Sequence, residues 1–437
     1  VSDPTPLLTA SVFALCLAPA AFFAVLALSA LSGRRMPEAA LGWLARGAMA
    51  VTAAAVTVMA AVFITSAPEQ VLLDVGDWFT YGAGHFEFAF TVDRFSVGFA
   101  LLAVYACSVV GAFSFRYLHR DPGYHRYFGQ LALFTLGLTL VALAGSAEVL
   151  FAGWELLGLS SALLIGFFHE RRAPVRNALR VFAVYRISDA AMLAAAVLLH
   201  HWTRSGSLAA LFSAEGADLA DPQRLVIALL ILLAVAGKSA LFPFSGWLPR
   251  AMEGPTPSSA VYYGALSIHA GCYLLLRAEP LLAQSPTARL LAITAGATTA
   301  LYTAVVGRAQ VDVKAVLSYA ALTQVGVIVV EIALGFTTLA FIHIIGHACF
   351  RLLQFLLAPN VLQDVSELER LGQVQAQKPA PHAPSWLRRH VYLAALERGF
   401  VDELVERVAL RPFLRVVQAA DRLDRRLSGS SRPEGSR

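Results

Sequence analysis

The sequence predicts an all-α polytopic membrane protein of about eleven transmembrane helices. Three observations carry that fold class. Of the 437 residues, 57% are hydrophobic and only 14% charged, with a mean hydropathy of +0.64, outside the range of ordinary soluble chains. The apolar residues gather in runs of about 20, the length a helix needs to cross the hydrocarbon layer. The loops between the runs alternate between arginine-rich and acid-rich, as the bias of Lys and Arg towards the cytoplasm requires. In such a chain a net charge of +5 and a pI near 9.1 reflect cytoplasmic arginines rather than nucleic-acid binding.

Taken in order, the runs fall at roughly 7–31, 48–66, 95–113, 127–145, 148–168, 177–200, 224–241, 256–277, 287–307, 313–334 and 336–358. No A-x-A-like cleavage site follows the first run, which reads as a retained span. The first loop carries Arg34, Arg35 and Arg46, the third Arg116, Arg120 and Arg126, and the fifth Arg171, Arg172 and Arg176. The second is acidic (Glu69, Asp74, Asp77, Glu87, Asp93), and so is most of the sixth, between Trp202 and Gln223. This alternation places the N-terminus outside and the C-terminus in the cytoplasm. Within the second loop, Val71 to Val92 alternates in polarity around Gly82-Ala83-Gly84, which predicts a short β-hairpin on the outer surface. Residues 1–358 thus form the membrane domain and 359–437 a cytoplasmic extension. In that extension 364–385 is a polar linker rich in Pro and Gln. Residues 386–428 follow as amphipathic helices with Leu404, Val408, Leu414, Val417, Leu423 and Leu427 at helical spacing. Ser428 to Arg437 has the composition of a disordered end.

The candidate functional residues are the titratable groups inside the spans. Only three of the 34 basic residues are lysines, Lys238, Lys314 and Lys378, so this chain uses arginine wherever a charge merely faces the cytoplasm. Lys238 closes a long apolar run, and Phe242-Pro243-Phe244 then interrupts the helix. A broken helix beside an ionisable group is how transporters build ion sites near the midplane. A lysine can release its proton when desolvated, whereas a guanidinium stays charged. Glu155, early in the fifth span, needs a cationic partner or a proton, and coupling it to Lys238 would let each control the other. A static salt bridge is the plainer alternative. Arg186 and Asp189, at i and i+3, read as a structural or orienting pair. His343 and His347 share a helix face at i, i+4, and with no third ligand nearby a proton relay fits better than zinc. His269 joins them, although a lone histidine in a span is often only packed and hydrogen-bonded. Lys314 lies at a cytoplasmic helix end beside Asp312, where a surface pair and a functional role are equally open. Cys16, Cys107, Cys272 and Cys349 lie in apolar segments without metal-like spacing and read as packing residues. No Walker motif, no dinucleotide fingerprint and no cysteine cluster occurs, so no cofactor is expected in this chain.

The stretches FAGWELLGLSS, YRISDAA, GKSALFPFSGWLPRAMEGPTPSSA, VDVKAVLSYAALTQVG and HIIGHACFRLLQFL resemble the antiporter-like membrane subunits shared by respiratory complex I and Mrp-type cation/proton antiporters, most closely the subunit-five type. The resemblance spans roughly Asp93 to Phe355. It implies two inverted five-helix repeats, about 95–241 and 256–358, with Lys238 on the broken helix of the first. It also implies a pairing of Glu155, of the W-E motif, with Lys238, of the G-K-S motif, and a relay through His269, His343 and His347. Two departures stand out. The family usually has lysine where this chain has Arg351. Its full-length members also continue into further spans with a second broken-helix charge, so the expectation is that a proton path here is completed elsewhere. A shortened subunit of this type resembles the membrane partner in the DAB inorganic-carbon accumulation complex. That resemblance implies a large cytoplasmic carbonic-anhydrase-like partner holding zinc, and a place in the bacterial cytoplasmic (inner) membrane. The leading expectation is therefore a proton-conducting subunit that drives uptake of CO2 or bicarbonate. The alternatives are a proton/sodium-translocating subunit of a complex I-like or Mrp-type assembly, and a non-conducting scaffold for a cytoplasmic enzyme.

Overall fold

The computed structural model describes residues 5–34, 36–66, 68–81, 84–212, 219–310, 312–370 and 411–428, with a few isolated positions between 392 and 407. Eleven helices correspond to the eleven runs: α1 (Thr5–Leu31), α2 (Glu38–Ser66), α3 (Arg94–Tyr117), α4 (Tyr124–Leu143), α5 (Ala147–Ile165), α6 (Arg172–Thr203), α7 (Asp221–Lys238), α8 (Thr256–Arg277), α9 (Pro286–Gly307), α10 (Val313–Ala333) and α11 (Thr337–Arg370). Ten of them, among the described residues, are long and apolar enough to cross a membrane. The exception is α7, whose 18 residues carry Asp221, Arg224 and Lys238.

Local chemistry explains where these helices start. Asp93 accepts from the Ser96 backbone N–H while the Ser96 hydroxyl serves the Asp93 N–H, a capping box that opens α3. Asp312 caps α10 by accepting from Ala315 N–H at 2.8 Å. Prolines sit in the first turns of α7, α8 and α9, where their missing N–H has no partner to lose.

The expected hairpin is present. Strands β1 (Gln70–Tyr81) and β2 (Gly84–Asp93) pair antiparallel from Gln70↔Asp93 to Tyr81↔Gly84, with register shifts between Asp74 and Phe79. The break after Lys238 is also present. Ala240 takes a positive φ of 55°, the Phe242–Pro243 peptide is cis, and short helical turns carry the chain from Phe244 to Glu253. The carbonyl of Gly237, freed by the break, accepts from Trp247 Nε1–H at 2.9 Å.

One sequence expectation needs correction. Helix α11 continues to Arg370, so the linker expected from 364 begins as helix; residues 371–391 lie outside the described residues. A helix in the tail, α12 (Arg411–Ser428), exposes Val416 and Leu423, while Leu404, Val408 and 429–437 lie outside the described residues.

Helix α8 is the centre of the bundle. It is buried at every position from Thr256 to Leu276, and Ser259–Leu266 within it is a π-helix. A wider turn of this kind recurs at functional sites because it re-aims the side chains that follow. Around it, helices approach through glycine. A Cβ at Gly153 of α5 would meet the Gly137 carbonyl of α4 at 2.8 Å, and one at Gly326 of α10 would meet Ala300 N of α9 at 2.6 Å. Gly153→Ala is therefore expected to lower stability by about 1–3 kcal/mol through overpacking. Gly47→Ala, where nothing lies within 4 Å, should be neutral or stabilising. Thermal unfolding of both variants in detergent checks the contrast.

Candidate functional site

The break in α7 delivers Lys238 to the interior at 0% exposure. Its Nζ donates to the Trp154 carbonyl at 3.1 Å and lies 3.5 Å from Asp189 Oδ1. The Trp154 and Tyr185 rings flank it at 4.8 and 4.4 Å. A Cβ at Gly158 would stand 3.0 Å from Nζ, so this glycine leaves room for the ammonium. Asp189 also receives Arg186 Nη2 at 2.6 Å, and the same nitrogen reaches Glu155 Oε2 at 2.7 Å.

The charges therefore run Glu155–Arg186–Asp189–Lys238. The direct Glu155–Lys238 pairing implied by the resemblance is replaced by a four-member chain. The physical reason is the intrahelical pair expected on α6, which stands between α5 and α7 and gives each of the other two charges a nearer partner. Two acids and two cations sum to zero when all are ionised, which is what an interior of low dielectric favours.

A second cluster lies on α8 and α11. His269 Nε2 and His347 Nδ1 are 2.9 Å apart, and Arg351 Nε donates to His347 Nε2 at 3.0 Å. A guanidinium only donates, so His347 accepts at Nε2 and carries its proton on Nδ1. That proton points at His269 Nε2, and His269 Nδ1–H then donates to the Ala265 carbonyl. All three bonds run in one direction, with both imidazoles neutral. Arg351, noted in the sequence only as a departure, thus fixes the tautomers of the pair. His343 takes another partner, with Nδ1 3.1 Å from both oxygens of Glu331 and its ring centroid 6.1 Å from that of His347.

Between the clusters, Tyr185 OH lies 3.5 Å from Ser267 Oγ, two residues before His269, and Ser239 Oγ donates to the Ile268 carbonyl at 2.6 Å. Lys314 stands apart, half-buried in the first turn of α10 at the end of the bundle away from the hairpin. Among the described residues no hydrogen bond joins its side chain to either cluster. The sequence reading passed over Glu331 and Tyr185. An acid inside the tenth run was the available signal for Glu331, whereas Tyr185 carried none. Among the described residues, no three of His, Cys, Asp and Glu gather as a metal would need.

Comparison with known proteins gives consistent matches. A family profile described as "NADH:quinone oxidoreductase/Mrp antiporter, TM" matches residues 144–382, and one described as "NADH-Ubiquinone oxidoreductase (complex I), chain 5 N-terminus" matches 78–128. NADH-quinone oxidoreductase subunit L of Mycobacterium tuberculosis is 34% identical over 325 residues, 73% of this chain and 51% of that protein. NADH-ubiquinone oxidoreductase chain 5 of Felis catus is 33% identical over 323 residues, 73% and 52% respectively. The chain spans about half the length of the curated relatives it matches. Among solved structures, the Mrp complex from Dietzia sp. DQ12-45-1b aligns with a TM-score of 0.66 at 32% identity, covering 78% of this chain and 37% of that one. The membrane-bound sulfane sulfur reductase, an archaeal respiratory membrane complex, shares the fold at a TM-score of 0.66 and 18% identity, covering 79% and 70%.

The order of charges makes a stability prediction. Asp189→Asn leaves the buried ammonium without its carboxylate and is expected to cost about 3–5 kcal/mol. Lys238→Met should cost clearly less, because Arg186 still pairs Asp189. Thermal unfolding of the two purified variants, compared directly, checks the ranking.

Proposed function

Because this chain belongs to the NADH:quinone oxidoreductase/Mrp antiporter family, we propose that it is a proton-conducting subunit of a multi-subunit membrane complex. The observation that carries the reading is Lys238, wholly buried at a helix break, within a four-charge chain and one helix away from a hydrogen-bonded histidine pair. Protons pass from His343 through His347 and His269, and by the Ser267 and Tyr185 hydroxyls, to Lys238. Each proton gained or lost by Lys238 changes the net charge of the four-member chain by one. Asp189 then shifts between Lys238 and Arg186, and Arg186 between Asp189 and Glu155, a local two-state rearrangement that packed helices transmit. Lys314, at the far end of α10, serves the same path where it meets the aqueous phase. The hairpin and N-terminus face outward and the C-terminus the cytoplasm, as the loop charges support.

On this reading the flux powers uptake of CO2 or bicarbonate by a cytoplasmic carbonic-anhydrase-like partner that holds the zinc. The support is the sequence resemblance to the short subunit of an inorganic-carbon complex, together with a tail helix, α12, that exposes Val416 and Leu423. A second reading, a subunit of a redox-driven or Mrp-type assembly exchanging protons for sodium, is favoured by the names of the relatives and by the Mrp complex at 32% identity.

Gentle purification of the chain with its native partners, followed by mass spectrometry, separates the two. A single large zinc protein is expected. Several antiporter-like or iron–sulfur subunits would overturn the carbon-uptake reading in favour of the second. Lys238→Ala is expected to abolish proton flux in vesicles without loss of assembly. Full activity in that variant would instead make the chain a scaffold.

A further inference from the structure

A third titratable pair lies at the hairpin end of the bundle, outside the two clusters above. His200 Nε2, in the last turn of α6, contacts Glu148 Oε1, in the first turn of α5, with side chains only 12% and 11% exposed. The site is built. Phe86 of the hairpin stacks on the His200 ring at a centroid distance of 4.5 Å. Glu87, the next residue, accepts from Ser205 Oγ at 3.1 Å and holds the hairpin down on the turn after α6. Gly206 lies against both partners: a Cβ there would meet Glu148 Oε2 and His200 Nε2, each at 2.7 Å. Glu148 Oε2 and His200 Nδ1 are buried and have no hydrogen-bond partner among the described residues.

Position on the helices gives the pair its meaning. Glu148 precedes Glu155 by seven residues, two turns of α5 and about 10 Å along the same face. His200 follows Asp189 by eleven residues, three turns of α6 and about 16 Å, again on one face. The pair thus stands over the four-charge chain on the same two helices, between it and the aqueous phase on the hairpin side.

We propose that Glu148 and His200 form a proton-transfer station linking the Glu155–Arg186–Asp189–Lys238 chain to the hairpin side of the membrane. The inference rests on the conduction reading and adds to it a second half-path within this chain. A proton binds Glu148 Oε2, the proton on Oε1 passes to His200 Nε2, and the proton on Nδ1 leaves to water on the hairpin side. Two bonds form, Oε2–H and Nε2–H, two break, Oε1–H and Nδ1–H, and the net charge of the pair is unchanged.

The test uses vesicles holding the full chain with its native partners, an imposed proton gradient and a pH-sensitive dye, with flux normalised to assembled complex. Glu148→Gln keeps the shape and a hydrogen bond to His200, and His200→Phe keeps the stack on Phe86. In either variant the flux is expected to fall about tenfold or more, as loss of a positioned proton carrier does. Glu148→Asp is expected to restore much of it. Lys238→Ala, run alongside, separates the two ways to fail. If it abolishes flux while Glu148→Gln and His200→Phe conduct like the wild type, the pair only clamps the hairpin and the inference is overturned. Failure of both variants to assemble overturns it equally. If Lys238→Ala itself conducts normally, the conduction reading falls first.

Discussion

The bundle depends on where one ammonium is held. A lysine fully enclosed by protein carries a desolvation cost of several kcal/mol unless a carboxylate and hydrogen-bond acceptors are held against it. Lys238 has Asp189 Oδ1, the Trp154 carbonyl and two aromatic faces. Each of those requires something further. Asp189 has to be on α6, one turn from Arg186. Trp154 has to be on α5, which meets α4 through Gly137 and Gly153. The helix that brings Lys238 has to stop where it does, and the carbonyl that the stop leaves free has to be taken by Trp247.

The same constraint explains why the histidine pair is separate from the lysine and yet close in structure. The turn of α8 that carries His269 is fixed against the broken end of α7 by the Ser239 hydroxyl on the Ile268 carbonyl. A Cβ at Gly271 would stand 2.1 Å from the Ser239 oxygen, so the two segments meet at glycine. The π-helical turns just before His269 fix its direction towards α11, and the guanidinium of Arg351 fixes its protonation pattern through His347. The two clusters are therefore joined through the backbone of α8 as well as through the Tyr185 and Ser267 hydroxyls.

Much of this architecture could be read from the sequence because membrane physics writes it plainly. Apolar length marked the helices, and polarity alternation marked the hairpin. A lysine in a chain that otherwise spends arginine marked the site. The i, i+3 and i, i+4 spacings of Arg186 with Asp189 and of His343 with His347 correctly grouped residues within one helix. Partners on different helices were harder to read. Nothing in the spacing says that Glu155 meets Arg186 rather than Lys238, since that depends on how α5, α6 and α7 rotate against one another. Glu148 and His200 sit at span ends, where an acid or a histidine ordinarily needs no explanation, and only the folded hairpin shows that they are covered. The end of α11 was misjudged because polar composition from 364 was read as linker, whereas the helix continues to Arg370.

The burial of α8 along its whole length from Thr256 to Leu276 bears on how the protein is made. A segment carrying His269, the serines Ser258, Ser259 and Ser267, the phenols of Tyr262 and Tyr263, and glycines at 264 and 271 satisfies few of its polar side chains in lipid on its own. Several of its polar side chains find their partners on α3, α4, α5, α6 and α11. Such a helix is held in the bilayer by its neighbours as well as by its own apolarity. Its surroundings are complete only once α11, which follows it in the chain, has packed against it.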